Sequence, residues 1–73
     1  MRSREIIGKE VIDAGARIVG RVKDIEIDPV KWNVTSIVIT TGFMRTRTLL
    51  TTDIDKVGDK VVLKVTTDKI HKA

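Results

Sequence analysis

Three carboxylates alternate along one segment of the chain, at Asp24, Glu26 and Asp28. On a strand these side chains would share one face, where they could attract a divalent cation. Successive same-face positions lie about 6.5 Å apart, which is too far for one small ion without additional ligands. A solvated strand face that discourages edge pairing explains the pattern better.

The remaining residues that could do chemistry form no complete site. Asp53-x-Asp55-x-x-Gly58 begins like a calcium loop, but Lys64 stands at the twelfth position, where a carboxylate is required. His71 is the only histidine and lies near the C-terminus, and the chain has no cysteine. No Cys-His or Ser-His-Asp arrangement can therefore be assembled. We predict a protein that is not an enzyme, with no catalytic residue, no metal and no cofactor.

Nucleic-acid binding is a second possible function, because the net charge of the chain is +4 and its basic residues could attract phosphate. A basic surface would form if the termini lay beside the second predicted hairpin. Its members would be Arg2, Arg4, Arg45, Arg47, Lys69 and Lys72. The chain has only two aromatic residues, so the stacking platform typical of single-strand binders is missing. Scattered charge that favours solubility explains these residues better than nucleic-acid binding does.

A pair of large apolar residues, Phe43 and Met44, stands at the tip of a predicted hairpin between Gly42 and Arg45. Hairpin tips are ordinarily polar, so an apolar tip indicates contact with a partner. We predict a partner-binding site made of Phe43, Met44, Arg45 and Trp32. The alternative is that the loop folds back and caps the open end of a barrel.

Further apolar residues fall on the strand faces opposite the predicted core, at Val19, Val38, Leu50 and Val62. A monomeric barrel of this size does not need so many apolar residues outside its core. We predict that they form the interface of a homodimer.

The elements that would position these residues are strands, because Ile, Val and Thr supply 29 of the 73 residues. The segment from Arg17 to Asp28 reads as one long strand whose apolar residues change parity. Ile18 and Val22 share one face, whereas Ile25 and Ile27 fall on the other, so we predict a β-bulge near Lys23-Asp24 that turns all four inward.

Turn signals divide the rest of the chain at intervals of about ten residues, which is typical of sandwiches and barrels. The pattern predicts an all-β fold, a small barrel of five to six antiparallel strands. One short helical turn, from Thr52 to Gly58, would precede the last strand, Lys60–Val65, in which Val61, Leu63 and Val65 point inward. Residues 1–73 would form a single domain, with residues 1–4 and 66–73 frayed.

Three segments together resemble the PRC-barrel domains, a family named after the photosynthetic reaction-centre H subunit. They are Ile7–Val11, Gly15–Asp28 and Val57–Leu63. The resemblance implies an SH3-like β-barrel used as an adaptor. Relatives include the C-terminal half of a ribosome-maturation factor and short stand-alone archaeal proteins that partner SepF in tubulin-type cell division. The chain is most similar in length and architecture to the archaeal proteins.

The resemblance implies a protein-binding component of the archaeal FtsZ/SepF division machinery, and the predicted dimer interface would make this component a homodimer. The alternative is an RNA-binding or ribosome-maturation accessory factor of the PRC-barrel type. No apolar run approaches the length of a membrane span, so we expect a cytoplasmic protein that reaches the division site through its partner. The absence of glutamine and the high share of charged residues are typical of heat-adapted proteins.

Overall fold

Six strands form most of the computed structural model, which describes residues 2–42 and 45–66. The abundance of β-branched residues predicts this, and the all-β, barrel-like class is confirmed. A four-residue helix precedes the strands, and a single 3-10 turn separates the fourth from the fifth. The elements are α1 (Ser3–Ile6), β1 (Glu10–Ile12), β2 (Ile18–Asp28), β3 (Asn33–Thr41), β4 (Arg45–Leu50), the 3-10 turn (Thr51–Asp53), β5 (Ile54–Val57) and β6 (Val61–Leu63).

The strands lie in one sheet in the order β4-β3-β2-β1-β6-β5. Antiparallel pairing joins every pair of neighbours except β1 and β6, which run parallel, with Val11 opposite Val61. The prediction of a wholly antiparallel sheet is therefore wrong at this one pair. Within the described part of the chain, no helix is long and apolar enough to cross a membrane.

The predicted bulge in β2 is confirmed. Val22 pairs with Ile39 and Asp24 pairs with Val38, so Lys23 is an extra residue on β2. This residue restores the parity, and Val22 is buried while Ile25 packs against the core. The prediction that Ile18 and Ile27 also point inward is wrong, because both are exposed.

Two further irregularities explain those exposed residues. Opposite β1, the register of β2 passes from Gly20 to Ile18, which leaves Val19 as an extra residue that packs against the core. Opposite β3, the register shifts again between Glu26 and Ile27. Beyond each shift, side chains that would have pointed towards the core point to the other face of the sheet.

The core draws on five of the six strands. Its buried members are Val11, Val22, Ile37, Ile39, Leu49, Val61 and Leu63. Ile6 of α1 and Val65, two residues after β6, also pack against this cluster. The predicted inward positions Val61, Leu63 and Val65 are thereby confirmed.

Gly20 lies on β2 directly beside the backbone of β3. A Cβ atom built on this residue would lie 1.9 Å from the carbonyl oxygen of Thr40. No rotamer change can relieve such a contact, because the opposing atom belongs to the backbone. The two strands can approach this closely only because position 20 has no side chain.

The turn between β1 and β2 is built around Asp13, which is only 2% exposed. Its Oδ1 atom accepts hydrogen bonds from the backbone N–H groups of Gly15 (2.8 Å) and Arg17 (2.9 Å). Ala16 in this turn has a φ of 65°, in the left-handed region. Ala16 and not Gly15 is thus the left-handed residue of this turn.

The predicted helical turn from Thr52 to Gly58 is shorter than expected. The 3-10 turn ends at Asp53, and the next four residues form the edge strand β5. Ile54 and Val57 of this strand pack against the core. At the other end of the chain, Ser3 and Arg4, predicted to be frayed, lie in α1.

Candidate protein-binding surface

The turn between β2 and β3 has a well-defined structure. Oδ1 of Asp28 accepts a hydrogen bond from the N–H of Val30 (2.8 Å), as expected for an aspartate that opens a turn. The N–H of Trp32 donates to the carbonyl oxygen of Asp28 at 2.7 Å. This turn presents Trp32 as the last residue before β3.

Trp32 combines an unfavourable backbone with an exposed side chain. Its φ is 56°, a left-handed conformation that costs a bulky residue roughly 1–2 kcal/mol and that glycine adopts freely. Its side chain nevertheless remains 80% exposed, so burial of the indole does not offset this cost. A strained residue whose side chain is mostly exposed is a candidate for function.

Other exposed apolar residues surround the same turn. Ile27 and Val34 are opposite each other on β2 and β3, and Val30 in the turn is 85% exposed. Leu50 pairs with Ser36 and is thus the diagonal neighbour of Val34 on β4. We call these five residues, Ile27, Val30, Trp32, Val34 and Leu50, the Trp32 surface. They make up five of the seven large apolar side chains that are exposed in the described residues.

Two exposed carboxylates lie beside the Trp32 surface on β2. Asp24 accepts a hydrogen bond from the N–H of Ile25 (2.8 Å), and Glu26 accepts one from the hydroxyl of the buried Ser36 (2.6 Å). These bonds fix the positions of the carboxylates without neutralising them. The third predicted member of the row, Asp28, is separated by the register shift and pairs with Asn33.

The structure does not bring together the predicted partner-binding residues. Trp32 precedes β3 at one end, whereas Arg45 is opposite Thr41 at the other end. The nine residues of β3 span about 26 Å, so the two side chains cannot share one small site. Trp32 and Arg45 therefore do not lie in one small site, and their roles in partner binding stay predictions. Phe43 and Met44 lie outside the described residues.

The four residues predicted to form a dimer interface are dispersed. Val19 packs against the core, so its assignment to the opposite face is wrong. Val38 and Val62 are half-buried, and only Leu50 is exposed. Val38 and Leu50 share the outer face of β3 and β4, whereas Val62 is on β6, beyond β2 and β1.

The predicted basic surface is only partly described. Arg2 and Arg4 lie at the start of the chain around α1, Arg45 and Arg47 lie on β4, and residues 69 and 72 are outside the described part. Arg47 pairs with the buried Ile39, so it lies on the inner face of the edge strand and is half-buried. An inward-pointing charge at this position protects an edge strand from pairing with other chains.

Several other cations are engaged within the domain. Lys9 donates to the carbonyl oxygen of Gly58, and Arg21 donates to that of Gly8 at 3.0 Å. Lys60 forms an ion pair with Glu10. The hydrogen bond from Lys60 lowers the pKa of the Glu10 carboxyl below its ordinary value. The Lys9 and Lys60 contacts join the start of β1 to the segment before β6, and the ion pair offsets the positive charge of Lys60.

The acidic residues offer no metal site in the part of the chain that the structure describes. No three side chains of the His, Cys, Asp or Glu type lie together as a set of ligands there. What the described geometry presents is an apolar surface with carboxylates beside it. Such a surface suits contact with another macromolecule.

Fold and surface together define a small all-β, barrel-like domain with an exposed surface suited to binding. Its sequence matches the model of the PRC-barrel domain over residues 1–70, and the chain belongs to this family. Among solved structures it is similar to the crystal structure of a 16S ribosomal RNA processing protein, RimM, from Pseudomonas aeruginosa.

The TM-score with that structure is 0.70 at 16% sequence identity, so the likeness shows a shared fold. The match covers 93% of this chain and 45% of the other, and the chain thus spans less than half the length of that relative. No curated protein matches the chain.

Proposed function

We propose that the chain is a non-catalytic binding domain that acts as an accessory factor in ribosome maturation. The observation that carries the binding role is the Trp32 surface, because its strained tryptophan and apolar neighbours stay exposed and lie outside the buried core. The PRC-barrel family and the fold shared with a 16S ribosomal RNA processing protein support the ribosomal setting.

The use of buried polar side chains supports a non-catalytic role. Among the described residues these are Asp13 and Ser36. Asp13 holds the β1–β2 turn, and Ser36 donates to Glu26. Both side chains therefore have structural partners, Asp13 within a turn and Ser36 between neighbouring strands.

The ribosomal role is tested by sedimentation of the protein in extracts of its own organism. We expect the full chain to migrate with small ribosomal subunits or their precursors, and cells depleted of it to accumulate unprocessed 16S ribosomal RNA. Binding to purified ribosomal RNA across a series of salt concentrations separates phosphate contacts, which weaken steeply with salt, from protein contacts. A protein that stays at the top of the gradient even at low ionic strength would refute the proposal.

The function implied by the resemblance to archaeal SepF partners stays a prediction. Neither the family match nor the RimM structure concerns cell division, and both favour the ribosomal alternative. Direct binding to purified SepF, followed by recruitment to the division site in cells, would revive the division role. Absence of binding would end it.

We also propose that the protein is a homodimer, with Val62 of β6 on the contact face. This half-buried residue lies on the face of β6 opposite the core, and strands β2 and β1 separate β6 from the Trp32 surface. Light scattering should then give about twice the chain mass of 8.2 kDa, and Val62→Asp should lower it to one chain mass. A single chain mass for the wild type at high concentration contradicts the proposal.

A further inference from the structure

The end of the β2–β3 hairpin nearest its turn, from Asp24 to Asn33, is acidic in a chain that is basic as a whole. Between Asp24 and Asn33 the sequence has three carboxylates and one lysine, whereas the net charge of the chain is +4. Asp24 and Glu26 are exposed on this hairpin. The Trp32 surface therefore lies in a region whose charge is opposite to that of the rest of the protein.

The local charge restricts which partners can cover this surface. Phosphate groups of RNA or of an anionic membrane would approach Asp24 and Glu26 at close range and be repelled. A partner with cations beside its apolar residues would gain attraction at the same positions. Electrostatic complementarity of this kind fixes the orientation of a partner and excludes wrong ones.

We propose that the Trp32 surface binds a basic amphipathic segment of a partner protein. Apolar residues of the segment cover Ile27, Val34 and Leu50, and its arginine or lysine side chains pair with Asp24 and Glu26. The inference rests on the proposed binding role but does not depend on the ribosome as its setting.

Trp32 contributes in two ways to such recognition. Its indole supplies a large, rigid apolar area at the tip of the hairpin. Its face also attracts guanidinium or ammonium groups through a cation–π interaction. The left-handed backbone keeps the indole exposed at a cost in conformational free energy. Contact between the indole and the partner would offset this cost.

The side chain of Trp32 also provides the test, because it is the only tryptophan in the chain. The probe is a synthetic helical peptide with leucine on one face and arginine on the other. Three comparison ligands are the same peptide with glutamate in place of arginine, an RNA oligonucleotide, and phosphatidylglycerol vesicles. We expect only the arginine peptide to shift the Trp32 emission to shorter wavelength and to protect it from acrylamide.

Charge variants test the role of the two carboxylates. Asp24→Asn and Glu26→Gln remove the charges but keep the oxygen atoms that accept the existing hydrogen bonds. The double variant should weaken binding of the arginine peptide by up to about tenfold, the sum of two exposed charge pairs. Asp59→Asn, at an exposed carboxylate in the turn before β6, is the matched control and should leave the affinity unchanged.

The role of the indole is tested by Trp32→Gly, with binding measured by calorimetry. Glycine adopts the left-handed conformation freely, so the variant should keep its Tm while losing more than about tenfold in affinity, as for an aromatic hot spot. Ile18→Ser removes a 67%-exposed apolar side chain away from the surface and should bind like the wild type.

Four outcomes would overturn the inference. The first is that the arginine peptide does not bind, and the second is that the glutamate peptide, the RNA or the vesicles bind equally well or more tightly. The third is that Trp32→Gly binds the arginine peptide with unchanged affinity. The fourth is that the Trp32 emission shifts with protein concentration alone. The last outcome would assign the surface to a second copy of the chain. Peptide binding without sedimentation on ribosomal particles would refute the ribosomal role alone, and the reverse result would refute this inference alone.

Discussion

Replacing Gly20 by alanine is expected to destabilise the domain so strongly that it no longer unfolds cooperatively when heated from room temperature. The new methyl carbon would lie 1.9 Å from the carbonyl oxygen and 2.9 Å from the carbonyl carbon of Thr40. Both atoms belong to the backbone of β3, so the strands must separate along the ladder that joins them. Circular dichroism during heating and urea titration would show a weak, broad transition or none.

The matched control is Gly58→Ala in the turn before β6. A Cβ atom at position 58 would meet no heavy atom within 4 Å. This variant should therefore unfold within about 0.5 kcal/mol of the wild type, as is usual for surface substitutions. A Gly20→Ala protein as stable as Gly58→Ala would mean that β2 and β3 are not so close in solution.

The second large effect is expected for Asp13→Ala. The substitution removes the acceptor of two backbone N–H groups, those of Gly15 and Arg17, at an almost fully buried position. Hydrogen bonds to a charged acceptor contribute about 1.5–3 kcal/mol each, and water can reach part of this turn. We expect a loss of about 2–4 kcal/mol in the free energy of unfolding, measured by urea denaturation, a large share of the stability of so small a domain.

Asp13→Asn separates the hydrogen bonds from the charge. The amide oxygen can still accept from both N–H groups, but its bonds are weaker than those of a carboxylate. The variant should fall between the wild type and Asp13→Ala. If Asn and Ala were equally destabilising, the two N–H contacts would not be the source of the effect.

The bulge at Lys23 could be predicted because a parity change within one long apolar strand has few other solutions. The orientation of Ile18 and Ile27 could not be predicted in the same way. Each is turned outward by an irregularity that depends on the partner strand, at Val19 and at Glu26/Ile27. The apolar pattern of a strand can be read from its sequence, but its register against the neighbouring strands cannot.

Short elements were the hardest to predict. β5 has four residues with Asp55 and Lys56 at its centre, so neither its length nor its composition marks it as a strand. The cap-like residues Thr52 and Asp53 favoured a helical turn in its place. The pairing of β5 with β6 and the packing of Ile54 and Val57 on the core override these local preferences.

The candidate site was predicted in part. Trp32 was identified as a partner-binding residue, but it was grouped with Arg45 and the second hairpin. In consecutive antiparallel hairpins the two turns lie at opposite ends of the shared strand, and this rule alone could have separated them. The left-handed backbone of Trp32 had no sequence signal, because glycine or asparagine is the usual residue in that conformation.

The parallel pairing of β1 with β6 has a consequence for the order of folding. Strands β1 to β4 are joined by short connections and can pair as soon as their residues are available. The contact between Val11 and Val61, which closes the core, links segments at the two ends of the described chain. We therefore expect the β5–β6 hairpin to dock last, so that a nascent chain keeps Val11 and Ile39 exposed to solvent until residue 63 has been synthesised.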